Sequence, residues 1–210
     1  MEPKELVGKL TQDLDKSIKR SRHPVPVGIS NRHFHITKEH WKILFGDAEP
    51  GILRKVRQPG QWAGEETVDI EGPKGRIAKV RHLGPFRSQT QVEVSKTDAF
   101  MLGIDPPVRG SGALAGAAPI RLKGPKGALE LKEAVLIAQR HVHLHPDDAA
   151  RFEVKDGEML RVRAGSGGPR ELVFEQVLAR VSDKFALEFH VDTDEANAAW
   201  LKNDDSVHVL

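Results

Sequence analysis

The chain has 210 residues, 39% apolar and 30% charged, with a formal net charge of +2. That is long enough for one large or two small buried cores, and no concentrated basic stripe of the kind that binds nucleic acid is present. The absence of cysteine excludes disulfides, thiolate catalysis and cysteine-bound metal, and leaves histidine and carboxylate as metal ligands.

No apolar run reaches membrane-spanning length, and residues 1–20 lack the apolar core of a signal peptide, so the expected location is cytoplasmic. Residues 1–20 read as an amphipathic helix. Leu6, Leu10, Leu14 and Ile18 recur at four-residue spacing, Val7 widens the stripe, and charges fill the other faces. Such a helix can cap its own domain or engage a partner. Pro24 and Pro26 end it.

Nineteen glycines and thirteen prolines then favour short strands. Strands are predicted at Val25–Ile29, Val68–Ile70, Ile77–Leu83, Gln91–Val94, Ile120–Leu122 and Leu129–Ile137, then at Leu160–Val162, Leu172–Val181 and Phe185–Val191. Helices are predicted at Lys38–Phe45, Thr97–Leu102, Asp147–Phe152 and Glu195–Trp200. Pro146 suits a first helical position, and Asp192 with Glu195 has capping-box spacing. Two identical Gly-Pro-Lys-Gly segments, at 72–75 and 124–127, read as hairpin tips. The Gly- and Ala-rich stretch 106–119 reads as a linker between a first half at 25–105 and a second at 120–210.

A second repetition carries chemistry. Asn31-Arg32-His33-Phe34-His35-Ile36 returns as Gln139-Arg140-His141-Val142-His143-Leu144, each time after an apolar strand and before a short helix. In a strand, residues two apart share a face. His33 therefore projects with His35 and His141 with His143, while Phe34 and Val142 face the core. Paired imidazoles on a strand form a platform for zinc or its neighbours. The rival reading is two pairs of half-buried, hydrogen-bonded histidines. The two repeats have different spacings, so a plain tandem duplication does not explain both, whereas two related halves with rearranged or exchanged strands would.

Other residues are less decided by pattern. His190 lies on the polar face of its strand just before a helix, a position open to a third imidazole or an ordinary surface histidine. Glu93 is the one acid on the polar face of its strand. Arg87 can share a site with it only if the chain bends at Gly84-Pro85. His23, His40, His82 and His208 have no partner pattern. His145 is a reserve ligand, and Asp147 and Asp148 most simply stabilise a helix N-terminus.

From about Val25 to Leu201 the chain resembles the PduL-type phosphotransacylases, the phosphate propanoyltransferases of bacterial acyl-CoA metabolism. The resemblance rests on Gly28-Ile-Ser-Asn-Arg-His-Phe-His, Gln58-Pro-Gly-Gln-Trp-Ala-Gly-Glu-Glu-Thr-Val and Leu83-Gly-Pro-Phe-Arg-Ser-Gln-Thr-Gln-Val-Glu. It continues through Arg140-His-Val-His and Glu188-Phe-His-Val-Asp-Thr-Asp-Glu-Ala-Asn.

The resemblance implies a mainly β chain with short α-helices: two β-barrel domains capped by helices, with a di-metal site between them and two Zn2+ per chain. It implies His33, His35 and Glu93 for one zinc and His141, His143 and His190 for the other. Arg87 would bind phosphate, with Ser111 close to it, and Val27, Gly28, Arg140 and Asn197 would contact coenzyme A. The implied reaction is acyl-CoA plus phosphate giving acyl phosphate plus CoA, with a propanoyl or acetyl group. Residues 1–20 resemble the terminal helices that take members of the family into bacterial microcompartments. A zinc thioesterase or hydrolase, or a non-catalytic metal-binding microcompartment protein, is the alternative. Acyl length, favoured direction and any homo-oligomer stay open.

Overall fold

The computed structural model describes residues 2–210; Met1, at the start of the expected first helix, lies outside them. Helix α1 (Pro3–Ser21) leads into strands β1 (Pro24–Ser30) and β2 (His33–His35). Next come α2 (Lys38–Phe45), β3 (Ile52–Lys55), β4 (Trp62–Glu71), β5 (Arg76–Gly84) and β6 (Gln91–Glu93). They are followed by α3 (Lys96–Leu102), β7 (Val108–Arg109), β8 (Ala118–Lys123) and β9 (Ala128–Ala138). The last part holds β10 (His141–Leu144), α4 (Pro146–Phe152), β11 (Met159–Ala164), β12 (Leu172–Val181), β13 (Glu188–Asp192), α5 (Thr193–Ala198) and β14 (Ser206–Val209). Among the described residues, no helix is long and apolar enough to cross a membrane.

The strands close into two six-stranded barrels. One runs β1-β13-β10-β12-β11-β14. In the other, β9-β6-β2-β5-β4 is closed by β8, which pairs with both β4 and β9; β3 and β7 lie outside the ring on β4 and β9. Pairing senses repeat from one barrel to the other. Strands β2 and β10 run parallel to β5 and β12 and antiparallel to β6 and β13. Each barrel fills its interior with the inward residues of these strands: Phe34, Val68, Val92 and Val135 in one, Val27, Val142, Val177 and Phe189 in the other. The expectation of a mainly β chain with two barrels and short helices is met.

The barrels do not coincide with the halves expected at 25–105 and 120–210. The compact units are residues up to Ile29 with Arg140–Val191 and Glu195–Leu210, and Ser30–Gln139 with Asp192–Asp194. The strand before each histidine pair is exchanged: β1 leads into β2 but belongs to the barrel of β10, and β9 leads into β10 but belongs to the barrel of β2. Segment 106–119 is no free tether either. Pro107 O accepts from Ile137 N at 3.0 Å and Arg109 O from Gln139 N at 2.9 Å, which binds it along β9.

Local chemistry explains the helix ends. Both Gly-Pro-Lys-Gly segments form hairpin tips, and both also cap a helix C-terminus. Lys74 N–H donates to Leu102 O and Lys126 N–H to Leu44 O, each at 3.0 Å, satisfying carbonyls that the helix leaves unpaired. A Cβ on Gly124 would lie 2.6 Å from Leu44 O, so the close approach requires glycine. For α4, Arg20 of α1 does this work. Its buried guanidinium donates to Phe152 O at 2.7 Å and Glu153 O at 3.0 Å, and pairs with Glu158 Oε1 at 2.8 Å. Arg20 thus anchors the end of α1, while Val7, Leu10 and Leu14 remain about 60% exposed (61%, 58% and 60%).

Candidate metal centres and active site

In the barrel of β2, Phe34 is fully buried and His33 and His35 share the opposite face, as the period of a strand requires. His33 stands directly across from Glu93 on β6. His33 Nδ1 lies 2.9 Å from Asn31 O and His35 Nδ1 lies 2.8 Å from Leu83 O. A carbonyl only accepts, so each Nδ1 carries the proton and each Nε2 keeps its lone pair. Those Nε2 atoms lie 3.5 and 4.0 Å from the Glu93 carboxylate. Burial and the neighbouring His33 hold the His35 imidazole down at about 3, against an upward pull from Glu93 and with a lesser downward one from Arg87. It is neutral, the form that ligates a metal.

Arg87 is exposed, its backbone N–H donates to Ile36 O at 2.9 Å, and its charge acts on His35. The chain turns at Gly84-Pro85, and this sets the Arg87 backbone beside Ile36, the neighbour of His35. Gln91 ties the rest together. Its amide nitrogen donates to Glu93 Oε1 at 2.6 Å and to Ser111 Oγ at 2.9 Å, and its carbonyl accepts from Gly112 N–H at 2.7 Å.

In the barrel of β10, His141 stands directly across from His190 on β13. The ring centroids of His141, His143 and His190 are 4.6 to 5.0 Å apart. His143 Nδ1 is buried and finds no hydrogen-bond partner among the described residues. Burial, then the neighbouring imidazoles and Arg180, push this ring far below the ordinary histidine range. Glu188 Oε2 lies 2.7 Å from His190 Nε2, which orients that ring. Gly28 backs onto this pair: a Cβ there would sit 2.9 Å from His190 Cδ2.

A family model described as phosphate propanoyltransferase matches residues 26–202. A phosphate propanoyltransferase of Thermotoga maritima is 52% identical over 192 residues, covering 91% of both chains. One of Citrobacter freundii is 44% identical over 203 residues, 97% of this chain and 95% of the relative. One of Rhodopseudomonas palustris is 47% identical over 186 residues, 88% of this chain and 81% of the relative. The chain belongs to the phosphate propanoyltransferase family. It is therefore an acyltransferase.

Both donor sets in this acyltransferase suit a divalent cation. His33, His35 and Glu93 offer ligand atoms within 4.8 Å of one another, and so do His141, His143 and His190. Three nitrogen or oxygen donors with a fourth position left open are the donor set of a reactive zinc site. Three clustered imidazoles, His143 among them with a buried nitrogen that lacks a hydrogen-bond partner among the described residues, are what a cation would satisfy.

The remaining candidates have other work. His145 is the N-cap of α4, with Nδ1 accepting from Asp147 N–H at 3.3 Å, and Asp148 completes its capping box. His23 packs edge-on against Phe152, His40 bonds Thr90 and His208 bonds Ser21 O. His82 is fully buried among Phe34, Trp41 and Phe86. Val27 has its side chain in the core and its N–H and C=O taken by Asp205 and Asp204. Arg140 is engaged by Glu195 at 2.7 Å and Glu175 O at 2.8 Å, whereas Asn197 is exposed on α5. Gln91 and Glu188 went unrecognised as supports of the ligands. The available signal was their phase, each one strand period before the third ligand of its centre.

Proposed function

We propose that the chain transfers an acyl group, propanoyl or acetyl, between coenzyme A and inorganic phosphate, with two Zn2+ per chain. The relatives, phosphate propanoyltransferases by name, support phosphate and a propanoyl group as substrates. The observation that carries the reading is an exposed arginine, Arg87, whose backbone is held by Ile36, the neighbour of His35, with Glu93 of the same centre joined through Gln91 to Ser111. That arrangement puts an anion-binding group beside a cation-binding one.

Arg87 supplies charge and a planar donor fork for phosphate. Ser111 Oγ accepts from Gln91, so its own proton is free to point at a phosphate oxygen. Held this way, a phosphate oxygen attacks the thioester carbonyl carbon, the C–S bond breaks, and coenzyme A leaves with the electron pair. When bound, the divalent cations supply Lewis acidity and charge neutralisation for the two reacting groups. His35 and His143 stay neutral at working pH and so remain ligands and not competing cations. No protein nucleophile is needed, and the chain has no cysteine to offer one.

Of the four residues that the resemblance implies for coenzyme A, Gly28 and Asn197 keep surface for it, while Val27 and Arg140 are occupied internally. The exposed stripe of α1 supports a partner-binding role, and a microcompartment shell is the partner we assign to it.

One assay tests the proposal. Zinc-loaded protein is incubated with propanoyl-CoA, and free thiol is followed with and without phosphate. Phosphate-dependent release is expected. Phosphate-independent release would make the protein a hydrolase, and no release would make it a non-catalytic metal binder.

A further inference from the structure

Each histidine pair is preceded by an arginine, and each arginine pairs with an acid at the same place in its barrel, Arg32 through two bonds and Arg140 through one. Arg32 grips Asp98 with both ends of its fork, Nε to Oδ2 at 2.9 Å and Nη2 to Oδ1 at 2.8 Å. Arg140 donates from Nη1 to Glu195 Oε1 at 2.7 Å. Asp98 is the third residue of α3 and Glu195 the third of α5, and each helix begins just after the strand that bears the third ligand. The offset from third ligand to acid, Glu93 to Asp98 and His190 to Glu195, is identical in the two barrels.

This contact has a mechanical meaning. The strands to be aligned are short: β2 pairs with β6 over three residues, and β10 with β13 likewise. A one-residue slip in either ladder would turn the third ligand to the opposite face. A charge-assisted pair from the residue before the first histidine to the helix after the third ligand ties both ends of the ladder and forbids the slip. Asp98 is a buried carboxylate, its side chain 2% exposed; it accepts from Ser95 N–H at 3.3 Å in the capping box of α3, and Arg32 supplies the charge that balances it.

We infer that Arg32–Asp98 and Arg140–Glu195 are equivalent positioning clamps, each setting the metal affinity of its own centre and not that of the other. The inference rests on the two-metal reading above. It makes Arg140 a support of the His141–His143–His190 centre, in place of a coenzyme A contact.

The test uses the full chain and a chromophoric chelator competing for zinc, with His143→Ala or His33→Ala backgrounds to report one centre at a time. Wild type holding two zinc ions confirms the underlying reading; a wild type that holds none removes that reading and the inference with it. Asp98→Asn should weaken zinc at the His33–His35–Glu93 centre by about 10- to 100-fold and leave the other within twofold. Glu195→Gln should do the reverse. Asp98→Glu, which keeps the carboxylate, should recover most of the loss. If the chain binds two zinc ions but both variants lower thermal stability with neither affinity changed, the arginines only hold the fold and the clamp is overturned. Arg32→Lys, which retains charge without the fork, serves where Asp98→Asn does not fold: a centre-specific loss supports the clamp and unchanged affinity refutes it.

Discussion

The Gln91 amide donates to Glu93 Oε1 at 2.6 Å, one strand period along β6. The same amide reaches Ser111, so a single side chain fixes the proposed metal ligand Glu93 and the loop at Ser111–Gly112 together. Replacing Gln91 by Leu removes both ties at similar volume. The expected loss in kcat/KM is about 10- to 100-fold, with weakened zinc at that centre. Steady-state kinetics with zinc analysis checks it; unchanged zinc affinity and rate would deprive Gln91 of this role.

Arg87→Ala should separate phosphate binding from metal binding. Loss of one charge-assisted contact should raise KM for phosphate by about 10- to 100-fold. Zinc content should not move, because Arg87 donates nothing to a metal. Equal loss of both would mean that Arg87 supports the centre's structure.

His82 gives the metal-free chain a pH dependence away from its metal ligands. Burial holds this imidazole down at about 4. Below its ordinary value near 6.5 the unfolded chain takes up a proton that the folded chain refuses, so the stability that neutral His82 preserves is lost as pH falls from 6.5 toward 4. The thermal midpoint of metal-free protein should drop on the order of 5 °C across that window from this group. His82→Leu should make the slope shallower in a pH series of melts; an unchanged slope would assign the dependence elsewhere.

Gly124→Ala should cost about 1–3 kcal/mol, because the new methyl would meet the Leu44 carbonyl at 2.6 Å. Gly8→Ala is the control. Nothing lies within 4 Å of a Cβ there, and a helical Gly→Ala change stabilises by roughly 0.5–1 kcal/mol. Denaturant titration of the two variants reads both signs.

What was legible in the sequence is what depends on short-range pattern. The period-two spacing of His33 with His35 and of His141 with His143 put each pair on one face, with Phe34 and Val142 in the core. Helices at Lys38 and Thr97 showed through their apolar phase, and the Gly-Pro-Lys-Gly tips through turn chemistry. The strand β3 did not show, because all four of its residues are exposed and nothing in Ile52–Lys55 alternates. Long-range pairing did not show either. The Gly- and Ala-rich composition of 106–119 looks like a tether, yet its carbonyls are taken by β9. Glu93 differs from other acids only by standing across from His33, a relation made by folding. The same holds for Asp98 and Glu195, whose partners Arg32 and Arg140 are remote in sequence.

The exchange of β1 for β9 has a consequence for how the chain is made. Val25 pairs with Val207, so the barrel of β10 joins β1 to β14, strands about 180 residues apart in the chain. A chain emerging from the ribosome can close the barrel of β2 once β9 is out, but β1 must wait, unpaired and apolar, until β14 arrives. The second histidine pair cannot be cut out with its own preceding strand and still own a closed barrel, because its barrel needs β1. A cut just after β9 should therefore leave the first fragment with a closed barrel and an unpaired β1, and the second with an open, aggregation-prone sheet that closes only when the two are mixed.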